Sequence, residues 1–388
     1  MKPLRIGIIT TWNVACGAGV LAETLVREWI RVGHEVTVLA PIEPRRPLTR
    51  TDEPYVIRCY YLESDPNYRE KPLPKSEMKS AVDDRTFHDQ DFDVFLINNL
   101  EIMPTEPFLP IFDAIRKKGT LMILIIHEGS LPKDRFFYAY DFDGVICFDD
   151  RYTKRWVSSI YEKSQIHIIP FPVLSMPITD KYESRKILGL PLEKKIIFNY
   201  GINVHKNLHL IPSLSELSKR YELVFLTITE VGESYELFEA LKSKYPFIEL
   251  MKGPIDFETM HRYLNASDAM LMHKDYADAT VVSSTVFMCM SSNCPIVTSD
   301  TNFVEGLHGE VLKYNTLDEM RRILENIFNG AKYTNDTIRK AHSYASINSS
   351  QIIARKYLKL FDKLMGQNTS MSEPFAKRAC GKTVEKVR

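Results

Sequence analysis

Two kinds of apolar pattern alternate along most of the chain. Short continuous runs such as Arg5-Ile6-Gly7-Ile8-Ile9-Thr10 have no polar side, as expected of strands covered on both faces. Between them lie stretches of helical period. Over residues 18–32, Ala18, Leu21, Ala22, Leu25 and Trp29 share one face, while Glu23, Arg27, Glu28 and Arg31 fall elsewhere. Gly33 supplies a C-terminal stop, and Val36 to Ala40 is the next apolar run. Strand, helix and strand of these lengths predict a right-handed βαβ unit. Further runs at Val56–Tyr60, Asp93–Ile97, Leu121–Ile126, Gly144–Phe148 and Ile166–Ile169, with a helix near 108–118, bring the expected strands to seven. The alternation predicts a doubly wound α/β domain, interrupted by a long connection punctuated by Pro41, Pro44, Pro47, Pro54, Pro66, Pro72 and Pro74.

Pro170-Phe171-Pro172-Val173, followed by Met176-Pro177, breaks the pattern, and the domain boundary is expected there. A second α/β series follows. Its strands are read at Ile196–Tyr200, Leu223–Ile228, Ile248–Met251, Ala269–Met272 and Pro295–Thr298. Helical patterns lie near 207–220, 234–245, 257–266 and 281–292, and two more near 317–329 and 350–365. The expected organisation is therefore an N-terminal domain over 1–170 and a C-terminal domain over 171–348. A helix over 349–365 would pack back on the first domain, and a flexible tail would cover 366–388.

Composition narrows the classes. The chain has 388 residues, 44% apolar and 26% charged, enough for two separate cores. Lys plus Arg and Asp plus Glu number 50 each, which argues against a broad nucleic-acid-binding surface. Cys16, Cys59, Cys147, Cys289, Cys294 and Cys380 form no CxxC pair, so reduced, mostly buried thiols of a cytoplasmic protein are expected. Leu121–Ile126 is the longest strongly apolar run, too short to span a bilayer, and Met1 to Arg5 lead straight into a strand pattern without a signal-peptide core. Phe108-Leu109-Pro110-Ile111-Phe112 with Arg116-Lys117-Lys118 offers peripheral membrane contact, but a core-facing helix with a basic end is the simpler expectation.

Two such domains place a cleft at the carboxyl ends of their strands, and motifs must say what occupies it. Gly17-Ala18-Gly19-Val20-Leu21-Ala22 fits a dinucleotide fingerprint, yet Thr11 to Cys16 separate it from its strand. The second strand ends Leu39-Ala40-Pro41 with no acid for a ribose, so nicotinamide binding is set aside. What survives is a glycine-bearing loop opening a helix, with free N–H groups for an anion. Further on, Gly33-His34-Glu35-Val36-Thr37-Val38 follows the first helix, and Ile125-Ile126-His127-Glu128 ends a strand. Gly201 precedes Lys206-Asn207, Ala266-Ser267-Asp268-Ala269 enters a strand, and Pro295-Ile296-Val297-Thr298-Ser299 follows a helix.

In this order these segments resemble retaining glycosyltransferases of family 4, which have the GT-B fold of two Rossmann-like domains facing across a cleft. The resemblance runs to about residue 365. It implies transfer of a sugar from a UDP- or GDP-sugar to an acceptor hydroxyl, with retention of configuration and without metal or other cofactor. It also implies an acceptor-holding N-terminal domain and a donor-holding C-terminal one. By resemblance His127 contacts the transferred sugar, and Gly17, Ala18, Gly19, Gly201 and Lys206 bind the donor diphosphate. Asn207 is expected in that site or as the N-cap of the next helix. Thr280 and Met288 stand where the family carries two glutamates, and Ile202-Asn203 where it carries an arginine. Ser283 and Ser284 then open a helix whose N–H groups suit a phosphate, with Thr280 expected beside them in the donor site, and Asp275 and Asp278, the carboxylates nearest the lost acid, are expected with His127 as catalytic residues that contact sugar hydroxyls. Glu128, in place of the commoner aspartate, reads as a helix-entry acid. Two alternatives follow from the missing acids: a catalytically degenerate partner subunit or nucleotide-sugar sensor, and a nucleotide-sugar epimerase of the same shape.

Overall fold

A computed structural model describes residues 2–42, 44, 47–62, 85–103, 105–132, 138–201 and 203–370. The first domain is built on strands β1 (Arg5–Ile9), β2 (Glu35–Pro41), β3 (Val56–Tyr60), β4 (Val94–Asn98), β5 (Leu121–Ile125), β6 (Gly144–Cys147) and β7 (Ile166–Ile168). They form one sheet in the order β3-β2-β1-β4-β5-β6-β7, parallel throughout. Every residue of β4, β5 and β6 is buried, which is why these segments carry no polar alternation. Helix α1 (Gly17–Arg31) connects β1 to β2 and buries Leu21, Ala22, Leu25 and Trp29. Helix α2 (Thr105–Lys117) buries Phe108, Ile111, Phe112 and Ile115, so its apolar side faces the core and not a membrane.

The second sheet holds β8 (Lys195–Tyr200), β9 (Leu223–Glu230), β10 (Ile248–Gly253), β11 (Ala269–Met272), β12 (Ile296–Ser299) and β13 (Leu312–Tyr314), in the order β10-β9-β8-β11-β12-β13. It too is parallel. In both sheets the strand order reverses beside the first strand of the series, β1 or β8. An open α/β sheet has its crevice at that point.

Several elements differ from the sequence reading. Strand β13 and the helices Asp150–Arg155 (α3), Lys181–Leu188 (α4) and Lys332–Ile347 were not foreseen. Asp150–Arg155 and Lys181–Leu188 are too short to show a periodic stripe. The helix expected over 207–220 starts as a 3₁₀ turn, Val204–Leu210, and becomes α-helical at Ile211–Ser218. The helix expected over 281–292 shrinks to Ser284–Cys289 (α5). The last helix, α6 (Ser350–Ser370), continues past 365, while 371–388, with Cys380, lie outside the described residues.

The chain crosses between the domains twice, side by side. Val173 N–H donates to Asn348 O at 2.8 Å, and Ser350 N–H donates to Val173 O at 3.1 Å. Beyond the second crossing, α6 packs on α1 of the first domain. Trp29 Nε1 donates to Ala354 O at 3.2 Å, and its ring meets Tyr357 and Phe361 at 5.9 and 5.8 Å. An aromatic row, Phe148–Phe171–Phe287–Tyr344, carries the apolar core across the interface. Among the described residues no helix is long and apolar enough to cross a membrane.

Candidate functional site

Between the two sheets, at their carboxyl ends, lies a cleft with about 1170 Å³ of empty space, its solvent mouth included. The first domain contributes Cys16, Gly17, Glu23 and Arg50 to its wall. The second contributes Tyr200, Gly201, Asn203, Asn207, Glu230, His273, Lys274, Ser284 and Met288.

The loop from β1 to α1 is shaped by side chains that sequence reading passed over. Cys16 is the N-cap, its sulfur accepting from Gly19 N–H at 3.3 Å. Asn13 adopts φ +54°, and its amide donates to Asp52 at 2.9 Å. Trp12 Nε1 donates to Glu53 at 2.9 Å, and Arg50 donates to Glu23 at the same distance. These bonds strap residues 49–53 over the loop. Burial pushes the Glu23 carboxyl up to about 7, against the pull of Arg50. Of the first turn of α1, Gly17 lines the cleft, whereas Ala18 and Gly19 do not, and the Gly19 N–H is taken by the Cys16 sulfur. A side chain at Gly17 would sit 3.4 Å from Ser284 Oγ, so Gly17 faces the second domain directly.

On the opposite wall Gly201 follows β8 with φ +135°, a conformation that favours glycine. Asn207 is no N-cap. It is buried inside the 3₁₀ turn, donating to Asn199 Oδ1 at 2.6 Å and accepting from His273 N–H at 2.7 Å, and so ties β8 to the end of β11. Lys206 stands outside the cleft wall, paired with Asp275 at 2.8 Å. That bond holds the exposed Asp275 carboxyl below the usual range. The lysine in the wall is Lys274. It is half-buried, with Nζ 5.6 Å from the centre of the Phe303 ring. Among the described residues no carboxylate lies within ion-pair distance of it. Burial lowers its pKa, and neighbouring Lys206 adds to the effect. Its place at the end of a fully buried strand was the signal available in the sequence.

The helix start at Ser283-Ser284 divides its work. Ser283 caps α5 by accepting from Val286 N–H at 3.4 Å, and its own N–H donates to Phe303 O. Ser284 reaches the cleft. Thr280 does not line it. This buried residue donates its N–H to Gly129 O of the first domain at 2.7 Å. Asp278 is fully exposed and accepts from Arg155 at 2.8 Å, which makes it part of the domain contact rather than of the cleft. Met288 does line the cleft, with Glu230 and Asp256 the second domain's carboxylates in the same wall.

His127, just past β5, is not in that wall either. Its Nε2 lies 2.6 Å from Asn98 Oδ1, its ring packs edge-on against Phe148, and burial pushes its pKa down to about 3. Glu128 is not a helix-entry acid. It is buried and accepts the N–H groups of Glu101 and His127, both at 3.0 Å. Among the described residues no group of three His, Cys, Asp or Glu side chains could hold a metal ion, and none of the five described cysteines is in a disulfide.

No family model matches the sequence. Solved structures do match, over nearly the whole chain. A sucrose-phosphate synthase from Thermosynechococcus elongatus aligns at TM-score 0.68 and 13% identity, covering 94% of this chain and 100% of the other. A glycosyltransferase from Rickettsia africae aligns at 0.67 and 13%, covering 94% and 99%. The chain has the GT-B fold. HepE from Anabaena, solved with UDP and glucose, aligns at 0.65 and 11% identity, covering 93% of this chain and 100% of that one.

Proposed function

We propose that this GT-B protein is a retaining, metal-independent hexosyltransferase of the cytoplasm, moving a sugar from a UDP- or GDP-sugar to an acceptor hydroxyl. One observation carries the reading. The cleft brings Gly17 at the start of α1, Gly201, the Ser284 helix start and Lys274, which has no ion pair among the described residues, to a single cavity between two Rossmann-like domains. Backbone N–H groups and a cation without a carboxylate partner suit a diphosphate whose charge grows as the sugar leaves. The C-terminal domain would bind the donor and the N-terminal domain the acceptor. Lys206 and Asp275 sit at the rim, where Lys206 adds long-range charge. Glu230, at the end of β9, is the carboxylate in reach of ribose hydroxyls that Met288 cannot bond. Crystals of similar proteins with UDP, glucose or UDP-glucose support the nucleotide-sugar class.

The test is thermal shift with UDP, GDP and their sugars, followed by donor consumption across an acceptor panel. A ligand that binds only the folded state raises its melting temperature. If no nucleotide stabilises the fold, the reading fails. Met288 in the wall, where a carboxylate is the rule in the family this chain resembles, favours one second reading, a degenerate subunit or sensor. A protein that binds nucleotide but neither transfers nor hydrolyses any donor sugar would establish it.

A further inference from the structure

Two walls of the cleft measure the same distance. At one end Gly17 of α1 faces Ser284, where a Cβ on the glycine would sit 3.4 Å from the serine Oγ. Farther along α1 the helix meets another part of the second domain. The Arg27 guanidinium lies 5.6 Å from the centre of the Phe257 ring, just past the loop that follows β10. Glu23, one turn before Arg27, stands six residues beyond Gly17, or roughly 9 Å along the helix axis. The second sheet repeats this span. Gly201 and Lys274 follow β8 and β11, neighbours in the sheet, while Gly253 ends β10, two strands from β8 and about 10 Å away. All of these but Arg27 line one cavity, together with the apolar side chains of Val20, Ile228 and Ile255. A nucleoside diphosphate with its phosphates at Gly17, Gly201, Ser284 and Lys274 spans that distance. Its base then lies between the Glu23 turn of α1 and the loop after β10.

Arg50 reaches the same cavity from the first domain. Its Nη2 lies 2.9 Å from Glu23 and 3.0 Å from Glu53. Both carboxylates are themselves fixed, Glu23 by its burial in α1 and Glu53 by Trp12 Nε1 at 2.9 Å. The guanidinium is planar, so clamping one nitrogen between two carboxylates sets the direction of the others. Nε is buried without a partner. Nη1 differs: among the described residues it has no hydrogen-bond partner, and it is not sealed from solvent. It is the end of the fork left open to the cleft. With two carboxylates beside it, Arg50 has little charge to offer a phosphate, whereas Lys274 has no ion pair among the described residues. The open N–H groups of Arg50 suit a neutral oxygen instead.

We propose that Arg50 reads the donor's nucleobase from the first domain, giving its Nη1 N–H groups to a ring carbonyl oxygen, O4 of uracil or O6 of guanine. The inference rests on the glycosyl-transfer reading, which puts a nucleoside diphosphate in the cleft. An arginine N–H only donates. Cytosine and adenine carry an amino group, also a donor, where uracil and guanine carry that carbonyl. Arg50 therefore selects keto bases over amino bases, and the first domain shares with the second the choice of nucleotide. Glu23 and Glu53 are positioning residues here, because they aim the guanidinium.

The experiment is calorimetric titration of the full chain with UDP, CDP, GDP and ADP. Wild type should bind UDP about tenfold more tightly than CDP, or GDP than ADP, in whichever pair it binds better, the cost of leaving a buried donor unpaired. Arg50→Met keeps the reach of the side chain and removes every N–H. It should weaken the keto nucleotide and shrink that ratio by about tenfold. Because Arg50→Met leaves two carboxylates without their cation, Glu23→Gln/Arg50→Met is measured beside it, with Glu23→Gln as its reference. Equal affinities for keto and amino nucleotides in wild type overturn the proposal. If neither Arg50 variant folds, the wild-type ratio decides, a tenfold preference supporting the proposal. An unchanged ratio in a folded Arg50 variant also overturns it. Both affinities falling together would put Arg50 on the ribose or the phosphates, and neither falling would take it off the nucleotide. A wild type that binds no nucleotide ends the glycosyl-transfer reading together with this one, whereas nucleotide binding with an unchanged ratio ends this one alone.

Discussion

Two lysines close in space carry different charges to the site. Lys206 shares its charge with Asp275 at 2.8 Å, whereas Lys274 lies in the cleft wall and forms no ion pair among the described residues. Lys274→Ala should weaken UDP binding by about 1–3 kcal/mol, and Lys206→Ala by less, since only the first removes a charged hydrogen bond. Calorimetric titration with UDP and with uridine checks this. The Lys274 loss should be confined to UDP, and an equal loss for uridine would remove it from the diphosphate. At the same scale, burial holds His127 and His261 near pKa 3 and 4, below the ordinary 6.5. The folded state then binds protons less readily than the unfolded one. The stability from these neutral rings is complete above pH 6.5 and falls as pH drops toward about 4, by up to ~1.4 kcal/mol per pH unit for each. His261 Nε2 lies 2.7 Å from Met288 O, which glutamine can also reach as a donor. His261→Gln should flatten the fall of the urea midpoint between pH 6.5 and 4.5, and an unchanged slope would show that the ring is not held neutral.

Among the elements, α5 is the sharpest test of backbone recognition. Ser283 is its cap, so that hydroxyl is worth about 0.5–2 kcal/mol, mostly as stability, and Ser284 is its first residue. Ser284→Pro deletes one N–H at a position where proline is tolerated in a helix. Turnover should fall far more for Ser284→Pro than for Ser284→Ala, with similar melting temperatures. Donor consumption by the two variants at equal turnover would show that the N–H does not touch the phosphate.

The whole molecule is held together across the cleft by a few polar contacts on an aromatic row. Arg155 reaches Asp278, Arg151 reaches the carbonyls of Asn302 and Val281, and Gly129 receives Thr280. A Cβ on Gly129 would come within 2.2 Å of Thr280 O, so only glycine lets the domains meet in this arrangement. We propose that the domains open and close about the paired crossings near Val173 and Asn348, and that a nucleotide sugar favours closure. Closure would exclude water from the donor. Small-angle scattering should show a more compact wild type at saturating donor and a larger Gly129→Ala with or without it. Superimposable curves for all four samples would count against the motion.

The local order of the chain was legible from hydrophobic period alone. Buried parallel strands and one-faced helices are set by near-neighbour residues, as in Val94–Asn98 and the Trp29 face of α1. The glycine at 201 could be read because its φ of +135° favours a residue without a side chain. Which charges share the cleft could not be read, because that depends on contacts between residues far apart in sequence. Tertiary structure decided that Asp278 pairs with Arg155 and that Thr280 meets Gly129. It also put Lys274, and not Lys206, in the wall. Asn98, at the end of β4, likewise bonds Ala18 of α1 because the strand order sets β4 beside β1, which no local pattern specifies.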